Sequence, residues 1–109
     1  MTNQEHLKNY RRYKDLIKQY DRELAALAAE DLPEPETVMV LRDSYVCLVK
    51  AIERAVGGIQ DPTEQMVIRL RYIKGYSWTR ICFEVHYSES QVKRIHRRAL
   101  KRLEGVLLS

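Results

Sequence analysis

Between residues 7 and 59 apolar and aromatic side chains recur with the period of a helix, and one break divides them. The first stripe is Leu7, Tyr10, Tyr13, Leu16, Tyr20, Leu24 and Leu27, at steps of 3, 3, 3, 4, 4 and 3. Lys, Arg, Asp and Glu fill most positions between, so one face is suited to packing and the other to water. Tyr10, Tyr13 and Tyr20 are read as packing residues, with an apolar body and a hydroxyl that reaches an interface edge. The helix should end in AALAAEDLPEPE, where Pro33 and Pro35 lack backbone donors and bias their predecessors away from helical angles.

A second stripe follows: Val38, Leu41, Tyr45, Leu48, Ile52, Ala55 and Ile59, at steps of 3, 4, 3, 4, 3 and 4. Alternating threes and fours are the mark of a coiled-coil seam, with Gly57 and Gly58 weakening its last turn. Each apolar face needs a partner in water. An antiparallel hairpin through the proline loop supplies one, and pairing across a dimer supplies another; the periodicity permits both. Val38, Leu41, Tyr45, Leu48 and Ile52 are accordingly the candidate oligomerisation residues, and a homodimer or higher homo-oligomer is expected. With only four Gly and three Pro in 109 residues, the fold class is all-α: a long N-terminal helical hairpin or coiled-coil arm over residues 1–59, then a three-helix unit over 60–109.

The second part opens at QDPTEQMVIRLRYIKG. Asp61 is an N-cap, Pro62 sits at the first helical position, and Glu64 stands where a capping box places its reciprocal carboxylate. Met66, Val67, Leu70 and Ile73 are the expected buried stripe, and Gly75 the C-cap. Ser77 caps a short helix holding Trp78, Ile81, Cys82 and Val85, and the chain turns at His86–Tyr87. Ser88 caps a further helix with Gln91 as its box partner, and Val92, Ile95, Ala99, Leu100 and Leu103 form its packing stripe. Three short helices joined this way are the architecture of a helix-turn-helix domain.

Charge supports a nucleic-acid reading of this half. Residues 1–60 carry nine basic and ten acidic side chains, whereas residues 61–109 carry ten and five. Opposite the packing stripe of the last helix stand Glu89, Ser90, Lys93, Arg94, Arg97, Arg98, Lys101 and Arg102. Its N-terminal half offers mixed polar groups to a major groove, so Glu89, Ser90, Lys93 and Arg94 are the candidate base-reading residues. Ser88, Arg97, Arg98, Lys101 and Arg102 are placed for phosphates, which give affinity and register but little sequence preference. His96, beside Arg97, is a further candidate phosphate neighbour. The competing reading is a solvated basic face closing a helical bundle. Double-stranded DNA is the expected partner because caps, turn and basic face occur together.

From DPTEQMVIRLRYIKGYSWTRICFEVHYSESQVKRIHRRALKRL onward the chain resembles region 4 of the sigma-70 class of transcription factors, especially small phage-encoded regulators similar to RinA- and ArpU-like activators. The residues that carry this are Asp61-Pro62, Leu70-Arg71-Tyr72 before Gly75, Ser77-Trp78, Ser88-Glu89-Ser90-Gln91-Val92 and Arg97-Arg98-Ala99-Leu100. The resemblance implies that Ser88, Glu89, Ser90, Lys93 and Arg94 approach promoter DNA, and that host RNA polymerase is a possible partner. It also implies a regulator and not a complete sigma factor, since nothing resembles the region that melts DNA. Phage small terminase subunits combine similar parts, so DNA packaging is the alternative role. Two departures stand out: Thr79-Arg80 where the family usually has an acidic residue after the opening Trp, and His86-Tyr87 in place of its small-Gly turn.

Other chemistry is poorly served. Cys47 and Cys82 sit within apolar helical patterns and are expected to be buried free thiols. No His/Cys/Asp/Glu set has zinc-ligand spacing, no glycine-rich phosphate loop follows a strand, and no nucleophile or paired-carboxylate set converges. Neither an enzyme nor a cofactor is expected. No apolar run reaches 18 residues and no secretory signal is present, so a cytoplasmic protein without a membrane contact is expected.

Overall fold

A computed structural model of the chain describes residues 2–104 and Val106, and it is all-helical. In order come α1 (Asn3–Lys8), α2 (Tyr10–Ala29), α3 (Glu36–Gly57), α4 (Pro62–Ile68), a π-helical turn (Arg69–Ile73), α5 (Trp78–Val85) and α6 (Glu89–Leu103). The body measures 55 × 30 × 20 Å.

The N-terminal stripe is carried by two helices where one was expected. Thr2 and Glu5 form a capping box at the start of α1, and Asn9 ends it at φ −91° and ψ 0°. The break lets α1 swing its Leu7 into the core at 1% exposure while Asn3 Nδ2 donates to the Leu103 carbonyl over 2.6 Å. The first helix is thereby tied to the last.

Helices α2 and α3 fold back on each other as an antiparallel hairpin, resolving the choice that periodicity left open. The Tyr45 ring sits between those of Tyr13 and Tyr20, with centroids 5.5 and 6.2 Å away. Tyr10 donates to Glu53 Oε1 over 2.9 Å, and Arg42 pairs with Asp21 nearer the loop. Burial and then the Glu53 carboxylate push the Tyr10 hydroxyl up to about 12, so it stays a donor at any physiological pH. The loop contains Asp31 at φ 55°, and Pro35 stands at the N-cap of α3.

Two apolar clusters organise the molecule. The larger gathers Leu7, Tyr10, Tyr13, Val49, Ile52, Ala55, Val56 and Ile59 with Ile68, Tyr72, Ala99 and Leu103, from both sides of residue 60. The smaller holds Val67, Leu70, Ile81, Val92 and Ile95. Helix α4 and the π turn that continues it are therefore buried on two sides: Val67 and Leu70 face α5 and α6, while Ile68 and Tyr72 join the hairpin. This corrects the expected stripe. Met66 points outward at 49% exposure, Ile73 is only partly buried, and Ile68 and Tyr72 occupy the core.

The end of α4 widens into a π turn, with Lys74 N donating to the Arg69 carbonyl over 3.0 Å. The C-cap is Lys74, one residue before the expected Gly75, and Gly75 follows it in the left-handed region at φ 74°; a Cβ there would collide with the Arg11 guanidinium. The cysteines also differ from expectation. Cys47 is exposed, because α3 packs through Tyr45, Leu48 and Ile52 on its other side, and Cys82 is half-buried at the margin of the smaller cluster. Among the described residues no helix is long and apolar enough to cross a membrane.

Candidate nucleic-acid interface

The bihelical unit is built by local capping. Ser77 accepts from Arg80 N at the start of α5. His86 closes α5 in the left-handed region at φ 60°, ψ 36°, a conformation glycine adopts without the Cβ penalty that histidine bears. Two residues later Ser88 and Gln91 form the reciprocal box that opens α6. Val92, Ile95, Ala99 and Leu103 then anchor α6, leaving its opposite side exposed along its length.

Ser90, Lys93, Arg94, Arg97 and Lys101 share that outer side, within about 100° of arc at 3.6 residues per turn. All five are exposed. Lys93 is held by Glu89, one turn earlier, at 3.0 Å. Among the described residues Arg94, Arg97 and Lys101 have no carboxylate partner. A capped helix anchored on one side and open on the other, with polar groups near its start and cations further along, has the form that enters a major groove.

Residues 61–104 match the family model for Sigma-70, region 4. That segment has a sigma-70 region 4-like helix-turn-helix fold, which is consistent with DNA binding. The match covers α4, the π turn, α5 and α6, which is less than half of the chain. No curated protein and no solved structure is matched. Among the described residues, no group of three His, Cys, Asp or Glu is arranged to hold a metal ion.

Within this region 4-like module the site residues separate into distinct environments. Ser88 is exposed but engaged: its Oγ accepts from Gln91 N over 3.3 Å and lies 3.3 Å from Ser90 Oγ. Glu89, Ser90, Lys93 and Arg94 stand together on the free first turns of α6. Arg97 and Lys101 continue that face. Arg98 and Arg102 lie to its side, toward α4, where their Nε atoms are 3.8 and 3.2 Å from the two carboxylate oxygens of Glu64.

Glu64 does not complete the capping box expected of it. Asp61 alone caps α4, accepting from Thr63 N and Glu64 N over 2.9 and 3.1 Å. The Glu64 side chain is instead 1% exposed beneath α6, with its oxygens within ion-pair range of the two arginines yet outside hydrogen-bond geometry. Capping spacing gave no hint of this, because the partners lie in another helix.

His96 is likewise placed differently. It is a core residue at 7% exposure, with Nε2 2.6 Å from the Tyr72 hydroxyl and its ring edge-on to Trp78 at 4.9 Å. Burial first, then the charges of Arg71 and Lys8, lower it to about 4, so it is neutral at pH 7. A neutral buried imidazole is no phosphate contact.

Of the residues proposed for oligomerisation, Ile52 is in the hairpin core, Tyr45 and Leu48 pack against it, and Val38 is half-buried. Leu41 remains open at 41% exposure, beside Met39 and Val40 at 40% and 56%.

Proposed function

We propose that this chain is a sequence-specific double-stranded DNA-binding transcriptional regulator, of the small kind encoded by phages or prophages. The observation that carries the reading is the free outer face of α6, where the polar first turns lead into unpaired cations. Glu89, Ser90, Lys93 and Arg94 are the base-reading set; a basic side chain there is suited to guanine, whose O6 and N7 both accept. Arg97 and Lys101 are the main phosphate contacts, with Ser88 at the helix start. Arg98 and Arg102 contribute to the positive field but share their charge with Glu64.

In this reading the N-terminal hairpin braces the module and supplies the contact for a second copy. The apolar residues left open at the start of α3, Val40 and Leu41 with Met39, support a pairing surface there. A dimer would offer two recognition helices to adjacent half-sites, increasing affinity and specificity together.

Selection from a library of short duplexes at moderate salt tests the reading. A recurring motif is the expected result, and paired half-sites are expected if two copies bind together. Salt-sensitive binding without a motif would move the role to DNA packaging or to an RNA polymerase-docked protein. A strictly monomeric mass by light scattering, free and on DNA, would remove the dimer.

A further inference from the structure

A cleft with a volume of about 500 Å³ opens where α1 and the start of α2 pass the π turn and α5. Its wall carries Lys8, Arg11 and Arg71, from three different elements, beside Gln4, Trp78 and His96, and among the described residues no carboxylate lines it. The arginines are oriented by neutral partners. Arg71 donates to the Tyr76 carbonyl over 3.0 Å and lies 4.4 Å over the Trp78 ring, while Arg11 donates to the Lys74 carbonyl. These contacts fix the guanidinium groups without cancelling their charge.

Like Arg94, Arg97 and Lys101 on α6, and unlike Arg42, Arg80, Lys93, Arg98 and Arg102, the cations Lys8, Arg11 and Arg71 have no carboxylate within ion-pair range among the described residues. What sets these three apart is that they converge on one concave wall. Three cations around one concave wall, with no carboxylate between them among the described residues, repel one another unless an anion joins them. The floor is preformed: Leu7, Tyr72 and His96 are all buried. The proton affinity of His96 is depressed by burial first, and the charges of Arg71 and Lys8 add to that depression.

We infer that this cleft receives a phosphate-type oxyanion, held by Lys8, Arg11 and Arg71. A guanidinium fork suits such oxygens, and its volume falls in the range of small-ligand sites, leaving room for the body of a ligand against Trp78. The phosphate has two possible sources: a free phosphorylated small molecule, or the backbone of a duplex passing beside the module. Lys8 and Arg11 lie outside the segment that matches region 4, and the site does not depend on the reading of α6.

Trp78 is the chain's one tryptophan and lines the cleft, so its fluorescence is a direct reporter. The full chain is titrated with pyrophosphate at low ionic strength, alongside Lys8→Gln and, as a control on α3, Lys50→Gln; thermal melts establish that both variants fold. The expected result is a saturable change that weakens about fivefold or more in Lys8→Gln and is unaltered in Lys50→Gln. A parallel duplex titration separates the sources. If pyrophosphate gives no saturable signal but Lys8→Gln lowers duplex affinity and reduces the salt slope by about one, the oxyanion is a backbone phosphate. Pyrophosphate binding with duplex affinity unaltered assigns a free phosphorylated ligand. Absence of both effects overturns the inference, whatever α6 binds.

Discussion

The Tyr72 hydroxyl lies 2.6 Å from His96 Nε2, and both side chains are buried where the hairpin meets the region 4-like module. The pair couples fold stability to pH. His96 is lowered from 6.5 to about 4 by burial, with Arg71 and Lys8 adding to it. A group depressed on folding binds its proton first in the unfolded chain, so its contribution is complete above about pH 6.5 and is lost as pH falls toward 4. The full span corresponds to about 3 kcal/mol. Urea unfolding at pH 7 and pH 4.5 should therefore show a larger loss of stability in the native sequence than in His96→Gln. Equal losses would mean that His96 titrates alike in both states.

Glu64 gives a second stability prediction. Its carboxylate is buried, and Arg102 approaches it at 3.2 Å from a side chain that is 64% exposed. Removing Arg102 leaves a buried carboxylate short of one partner, and such losses cost several kcal/mol in full burial. Solvent around Arg102 and the second arginine, Arg98, reduce this. Arg102→Ala should destabilise the fold by about 1–3 kcal/mol, whereas Arg97→Ala, on the free face, should stay within about 0.5 kcal/mol. Chemical denaturation of the two variants decides it. Matching stabilities would place Arg102 with the solvated cations.

What was legible in the sequence was mostly local. The caps at Asp61, Ser77 and Ser88, the stop at Gly75 and the break before Pro33 depend on groups a few residues apart, and the structure has each of them. The packing stripe of α6 was legible for the same reason, and the stripe carried by α3 in part: Ile52, Ala55 and Ile59 are buried, but Leu41 is exposed and the buried Val49 and Val56 lie outside the 3-4 pattern. The misreadings concern polar residues whose partners lie in another helix. Glu64 looked like a box residue because spacing says nothing of arginines on α6, and His96 looked exposed because Tyr72 belongs to a different element. Met66 fits a stripe for a helix with one buried face, but α4 is buried on two others and leaves Met66 outside at 49% exposure.

Two turn residues share the left-handed backbone conformation but differ in whether they carry a Cβ. His86 has φ 60° and Gly75 has φ 74°. His86→Gly should stabilise the chain by up to about 1 kcal/mol, because the left-handed Cβ penalty disappears, offset in part by the greater freedom of glycine when unfolded. Gly75→Ala should cost about 1–2 kcal/mol, since it adds that penalty and drives a Cβ into the Arg11 guanidinium. Thermal melts of the two single variants give the signs. A stabilised Gly75→Ala would show that Arg11 moves aside freely.

The two thiols should differ in reactivity in the same sense as their exposure. Cys47 is open on α3, and Cys82 is half covered beside the smaller cluster. Titration of the native chain with a thiol reagent, read by peptide mass, should label Cys47 first, with Cys82 following at a rate set by local opening of α5. Faster labelling of Cys82 would mean that α5 is the less stably packed helix.

On α6 the proposed division between base and phosphate contacts makes opposite predictions for neighbouring cations. Lys93 and Arg94 stand on the helix's early turns, with Lys93 held by Glu89 at 3.0 Å. Lys93→Ala or Arg94→Ala should weaken the selected duplex by about 1–3 kcal/mol and random duplex by much less, because a lost bidentate contact to a base is felt only where that base is present. Arg97→Ala and Lys101→Ala should weaken both duplexes alike and reduce the salt slope by about one each, as loss of a phosphate contact does. Arg102→Ala should change the slope less than Lys101→Ala, since its guanidinium already faces Glu64. Titrations of both duplexes at several salt concentrations distinguish the three classes. If all five variants lose the same affinity on both duplexes, α6 supplies only a positive surface, and sequence preference must come from elsewhere in the molecule.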